Sequence, residues 1–164
     1  MHAQGILRLT RAPYGPAAWQ RRAAQYLARL LEHFDYSGIL TIEFFVRRGR
    51  LIANEIAPRV HNSGHWTIEG AVTSQFENHL RAILGLPLGS TQARGHAAMI
   101  NLIGSIPPKA QLLKVPGLHL HDYGKEPRPG RKVGHVTLVE SSAARRDARA
   151  LALIEKLAAG VGIP

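Results

Sequence analysis

The chain has 164 residues, is 45% hydrophobic, carries a formal net charge of +10 and contains no cysteine. Such a length and apolar content suit a globular fold with a buried core and exclude a disordered chain, and the missing cysteines exclude a disulfide framework and thiolate chemistry. No apolar run is long enough to cross a bilayer. Arg8 and Arg11 interrupt the short apolar start and argue against a signal peptide, so a cytoplasmic location fits. The surplus of positive charge has two readings: solvated arginines on helix faces, as at Arg21-Arg22 and Arg145-Arg146, or binding of phosphate or nucleic acid.

In chain order, His2 to Thr10 reads as the middle of a strand or loop, an abrupt start. Pro16 suits a first helical turn, and residues 17–33 follow as a helix with Tyr26, Leu27, Leu30 and Leu31 on its apolar stripe. Residues 38–46 and 51–57 read as two strands of a β-hairpin around an Arg-Arg-Gly-Arg turn. Ser74-Gln75-Phe76-Glu77 has the spacing of a capping box and opens a helix that ends near Gly85. Strands are expected at residues 97–103, 118–121 and 133–139, with a loop at residues 124–130 and a last helix over residues 143–159 capped by Ser141 or Ser142. With no repeat and no linker, the chain reads as one α+β unit.

The hairpin carries the first chemical signal. If Arg48, Gly49 and Arg50 form a three-residue loop, Glu43 and Glu55 lie directly opposite on one face, with Cβ atoms roughly 5 Å apart. Two like charges there call for a neutraliser, and Mg²⁺ (or Mn²⁺) prefers carboxylate and phosphate oxygens. A two-residue turn would set Glu43 opposite Asn54 instead. On the bland alternative one glutamate faces solvent and the other pairs with an arginine.

After the hairpin, Pro58-Arg59-Val60-His61-Asn62-Ser63-Gly64-His65 gathers a planar cationic fork and several directional hydrogen-bonding groups, a set suited to carboxylate, bicarbonate or phosphate oxygens. Gly64 allows close backbone approach. The four-residue spacing of His61 and His65 also admits zinc, but Pro58 and Gly64 argue against the helix that pair would need, and no third ligand stands out. Further on, Lys125, Arg128, Arg131 and Lys132 surround two prolines and two glycines, which suits a phosphate monoester. A solvated turn is the plain alternative, and with only Tyr123 nearby, base stacking on nucleic acid has little support.

Four segments together strongly resemble the N5-carboxyaminoimidazole ribonucleotide synthetases, ATP-grasp enzymes of purine biosynthesis. They are residues 54–67, Ser74-Gln75-Phe76-Glu77, Met99-Ile100-Asn101-Leu102-Ile103-Gly104, and Arg128-Pro129-Gly130-Arg131-Lys132-Val133-Gly134-His135. The resemblance implies an α+β fold: the C-terminal part of an ATP-grasp domain, an antiparallel sheet with flanking helices, at residues 1–90, then a small β-rich C-terminal subdomain at residues 91–164. It implies ATP- and bicarbonate-dependent carboxylation of 5-aminoimidazole ribonucleotide through carboxyphosphate. By the same resemblance Glu43 and Glu55 would hold Mg²⁺ between the ATP phosphates with Asn54 beside them, Arg59, His61 and Asn62 would hold bicarbonate or carboxyphosphate, and Lys125, Arg131, Lys132 and Arg128 would grip the ribonucleotide phosphate. It covers only the C-terminal half of the family's length. The N-terminal domain, the subdomain that clamps ATP and the glycine-rich phosphate loop have no counterpart. The expectation is therefore a chain without ATP-dependent turnover alone, with part of its sheet exposed for a missing N-terminal half or, as the family is often dimeric, a second copy. A basic nucleic-acid-binding module and a remnant without function are the competing readings.

Overall fold

The computed structural model describes residues 1–3 and 5–160. Two short strands, β1 (His2–Ala3) and β2 (Ile6–Leu7), pair with each other, and β3 (Leu9–Ala12) follows at once, so the segment read as one strand or loop is three short pieces. Helix α1 (Ala17–His33) starts after Pro16, whose extended backbone places it at the N-cap. Its stripe lies over the hairpin of β4 (Thr41–Arg47) and β5 (Arg50–Ala57), leaving a groove of about 600 Å³ lined by residues that include Tyr26, Leu30, Ile42, Phe44, Leu51 and Ile56.

The hairpin turn is Arg48-Gly49, two residues long rather than three, with Arg47 paired to Arg50 and positive φ at both turn positions (49° and 72°). That is the primed geometry whose twist matches the flanking strands. The ladder runs regularly to Phe44↔Ala53 and then shifts by one, so that Glu43 pairs with Glu55 and Asn54 is the extra residue of a β-bulge. The bulge has a clear reason in side-chain alternation. Without it the one-residue offset would carry Ile56 to the face opposite Leu51 and Ala53. With it, Leu51, Ala53 and Ile56 all line the groove under α1, while Glu43 and Glu55 share the other face. The expected juxtaposition of the two carboxylates is thus present, produced by the bulge and not by the loop length.

The other sheet is antiparallel throughout, in the order β3-β6-β8-β7, from β3, β6 (His96–Ile103), β8 (Lys132–Glu140) and β7 (Leu118–Asp122). Its edge strand β3 thus joins residues 9–12 to strands from beyond residue 95. One face carries Ala98, Ile100, Leu102, Leu118, Val136 and Leu138 against Ala150, Leu153 and Leu157 of α5 (Ala143–Gly160) and Leu112 of α4 (Lys109–Leu112). Each fully buried aliphatic side chain there contributes ~1.5–3 kcal/mol. The second face is buried as well: Met99 and Thr137 are inaccessible and His135 is 1% exposed. Burial on both faces explains why β6 is almost wholly apolar, with Asn101 the one polar residue between Ala97 and Ile103.

The second face is covered by the stretch between β5 and β6. It contains a 3₁₀ turn (Asn62–Gly64) and α2 (Thr67–Gly70), followed by α3 (Gln75–Ile83). Pro58 to His61 is not helical and His61 itself is extended, so the segment forms no helix of the kind a His61–His65 ligand pair would need, as its proline and glycine imply. Ser74 caps α3 by accepting from the Glu77 amide at 3.1 Å, and Gly85 follows with φ 65°. Glu77 instead bonds Arg81 one turn on, at 2.6 Å.

Candidate active site

The carboxylate face of the hairpin looks toward the loop that leaves β5. Glu43 Oε1 lies 3.7 Å from His61 Nε2, and Glu43 is mostly shielded, whereas Glu55 is exposed and has no ion pair among the described residues. Asn54 occupies the bulge next to them and is exposed. Among the described residues no three histidine, aspartate or glutamate side chains converge as a closed metal cage. Two facing carboxylates fit a hard divalent cation that takes its other ligands from phosphate and water, the usual habit of Mg²⁺.

His61 is buried and immobilised on every side. Its Nδ1 meets the Ser63 hydroxyl at 2.8 Å and accepts from the Ser63 amide. Its backbone is gripped by Gln75, whose Oε1 accepts the His61 N–H at 3.0 Å and whose Nε2 donates to the His61 carbonyl at 2.8 Å. His65 Nδ1 donates to the same carbonyl at 3.0 Å. Gly64 makes room for this grip, since a Cβ there would sit 2.6 Å from Gln75 Oε1. The close approach foreseen at Gly64 is therefore taken by a side chain of this chain. Asn62, next in the turn, keeps a buried Oδ1 with no partner, while Arg59 is exposed and its Nη1 donates to the Val60 carbonyl.

The basic loop, residues 123–131, spans from β7 to β8 and reaches the same neighbourhood. The Lys132 ammonium is held below its ordinary value by burial first and then by the nearby charges of Lys125 and Arg59. Arg59, Lys125 and Lys132 thus form one positive field, although they come from separate stretches of chain. Lys125 and Arg128 are exposed, and Arg131 Nη1 donates to the Glu126 carbonyl.

Beneath them lies a cluster that sequence reasoning did not single out. Asn101, His135 and His121 form one cross-strand row, and the rings of His121 and His135 stack at 4.3 Å and 11°. His121 Nε2 contacts Glu69 of α2 at 2.6 Å, and His65 packs against His135 with ring centroids 5.4 Å apart. Burial, followed by the charges of His121, His65 and Lys132, lowers His135 to about 3, so its imidazole is neutral. His65 is also lowered, chiefly by burial and against the pull of its bond to the His61 carbonyl. Alternation within 118–121 and 133–139 puts His121 and His135 on one face, but only the β7–β8 register brings their rings together.

Two protein families match the chain: the ATP-grasp domain over residues 1–76, and the phosphoribosylaminoimidazole carboxylase C-terminal domain over residues 97–149. The N5-carboxyaminoimidazole ribonucleotide synthase of Pseudomonas aeruginosa is 56% identical over 156 residues, 95% of this chain and 43% of that protein. The crystal structure of the synthetase from Thermus thermophilus superposes with a TM-score of 0.90 at 56% identity, covering 98% of this chain and 44% of that one. A synthase from Aspergillus clavatus, in complex with ADP and 5-aminoimidazole ribonucleotide, gives a TM-score of 0.87 at 34% identity over 94% of this chain and 44% of that one. The chain therefore spans less than half the length of the relatives it matches. Over that span it matches the N5-carboxyaminoimidazole ribonucleotide synthases, as the part that carries their C-terminal domain.

Proposed function

We propose that this chain supplies the cation-carrying strands and the anion-binding loops of an ATP-dependent ligase that carboxylates 5-aminoimidazole ribonucleotide with bicarbonate. The remaining ATP-clamping elements would come from the rest of the length its relatives possess. One observation carries the reading: the hairpin register puts Glu43 and Glu55 on one face, with Glu43 against His61, and Arg59 lies near enough to Lys132 for its charge to be felt there.

Bound between these carboxylates and ATP, Mg²⁺ would neutralise phosphate charge. The protein's own groups do the positioning. Glu43 and Glu55 would hold the cation, with Asn54 beside them. Arg59 presents a fork to the bicarbonate or carboxyphosphate oxygens, and His61, fixed by Gln75 and Ser63, offers a directional partner whose position does not drift. Asn62 brings an unsatisfied carbonyl oxygen to the same turn. Lys125, Arg131, Lys132 and Arg128 form the positive wall against which the ribonucleotide phosphate would sit. Phosphoryl transfer of this kind depends mainly on orientation and charge neutralisation, which these residues supply.

The exposed Phe45 (61%), Val46 and Ile52 of the hairpin, Leu80 and Ile83 of α3 and Leu84 at its end support burial against further chain or a second copy. The test is co-expression with a chain providing the missing ATP-grasp elements. ADP release that depends on 5-aminoimidazole ribonucleotide, and that Glu55→Gln abolishes, is the expected result. Release that Glu55→Gln leaves intact refutes the metal role. The 164-residue chain alone is expected to release no ADP.

A further inference from the structure

The backbone of the basic loop is tied down at several points. Tyr123 N–H donates to the Val133 carbonyl, Arg128 N–H to the Gly104 carbonyl, and Gly104 N–H to the Arg131 carbonyl at 2.7 Å. Asp122 accepts from the Gly124 amide and from Lys109. The side chain of Lys125 has none of this support. Its Nζ lies 5.4 Å from the centroid of the Tyr123 ring, which anchors it. The Tyr123 hydroxyl meets His135 Nδ1 at 2.7 Å.

We propose that Tyr123 and His135 are positioning residues: the hydroxyl–imidazole bond fixes the Tyr123 ring, the ring fixes the Lys125 ammonium, and Lys125 with Lys132 then forms a preset two-point clamp for a phosphate monoester. This rests on the reading of the basic loop given above and names the parts that set its geometry. Burial pushes the Tyr123 phenol up to about 12, so it keeps its proton. His135 is neutral, so the bond joins two uncharged groups. The imidazole is hemmed in by His121, stacked on it, and by His65, packed against it. His65 in turn bonds the His61 carbonyl, so a continuous run of contacts joins the anion-binding turn to Lys125. Cation–π contact with a fixed ring restrains a lysine without neutralising it, as a phosphate ligand requires.

The test titrates ribose 5-phosphate into the 164-residue chain and into Tyr123→Phe, Lys125→Ala, Lys132→Ala and the Tyr123→Phe/Lys125→Ala pair. Tyr123→Phe keeps the ring and loses only the hydroxyl, so binding weakens roughly three- to tenfold. Lys125→Ala and Lys132→Ala each weaken it by about tenfold or more. The double variant binds no worse than Lys125→Ala alone, because the hydroxyl acts only through that lysine. Losses that multiply would mark a general structural role and overturn the inference, as would a neutral Tyr123→Phe beside a damaging Lys125→Ala. If neither lysine matters, or the wild-type chain binds no ribose 5-phosphate, both the basic-loop reading and this inference fall. Should Tyr123→Phe not fold, the imidazole ¹⁵N spectrum of the wild-type chain decides. A His135 Nδ1 resonance that moves on adding ribose 5-phosphate supports the linkage, and an unmoved one overturns it.

Discussion

Replacing Gln75 with alanine tests how the anion-binding turn is held. Gln75 is 9% exposed and its amide satisfies both backbone groups of His61, at 3.0 and 2.8 Å. In the variant the His61 carbonyl keeps bonds from the Gly64 amide and from His65, so it is not orphaned. The His61 N–H loses its partner in a buried position, at a cost of ~1–3 kcal/mol, and the bond to the carbonyl is worth about 1 kcal/mol more. Releasing the glutamine side chain from its fixed rotamer returns about 1.5–2 kcal/mol. The net expectation is a loss of about 1 kcal/mol in urea unfolding at neutral pH, with the His61 amide exchanging faster than its neighbours. Gln75→Glu is expected to be worse, since it sets a carboxylate against the His61 carbonyl. A loss below about 0.5 kcal/mol with the His61 amide still protected would refute the reasoning.

Other outcomes follow from the same geometry. Gly64→Ala brings a Cβ to 2.6 Å from Gln75 Oε1, so it destabilises by ~1–3 kcal/mol. Combined with Gln75→Ala its cost shrinks, as a double-mutant cycle in urea would show. Arg48→Asn places a residue tolerant of left-handed backbone at φ 49° and is expected to stabilise by about 0.5 kcal/mol; a lowered unfolding midpoint contradicts this. For His135 the folded value, about 3, lies below the unfolded 6.5. The unfolded chain therefore binds the extra proton between those two values. The contribution is present in full above pH 6.5 and is lost as pH falls toward 3, at up to about 1.4 kcal/mol per pH unit. His65 acts in the same direction. Unfolding curves from pH 7 to 5 show this slope, and His135→Gln flattens it; equal slopes in both proteins would remove His135 as the cause.

Much of the fold was legible because its signals are local. The apolar stripe of α1, the capping box at Ser74, Gly85 after α3 and the largely apolar run of β6 each bias backbone or burial within a few residues. The part that sets the site was less so. The bulge at Asn54 leaves no local signature, because it is settled by which residues must face α1, and reasoning from loop length alone reached the right pairing by a wrong route. Gln75 was read as part of a helix cap, and the helix register that aims its amide at His61 is not visible in the spacing. His121 and His135 become neighbours only through strand pairing, and Glu69 reaches them from a helix of four residues, too short to carry a periodic pattern.

The central claim is that Glu43 and Glu55 jointly hold a divalent cation beside His61. Paramagnetic broadening of amide resonances by Mn²⁺ tests it directly on the 164-residue chain. Broadening is expected to centre on Glu43, Asn54 and Glu55, to extend to His61, and to be lost in Glu55→Gln. Broadening centred elsewhere, or unchanged by that substitution, would contradict it.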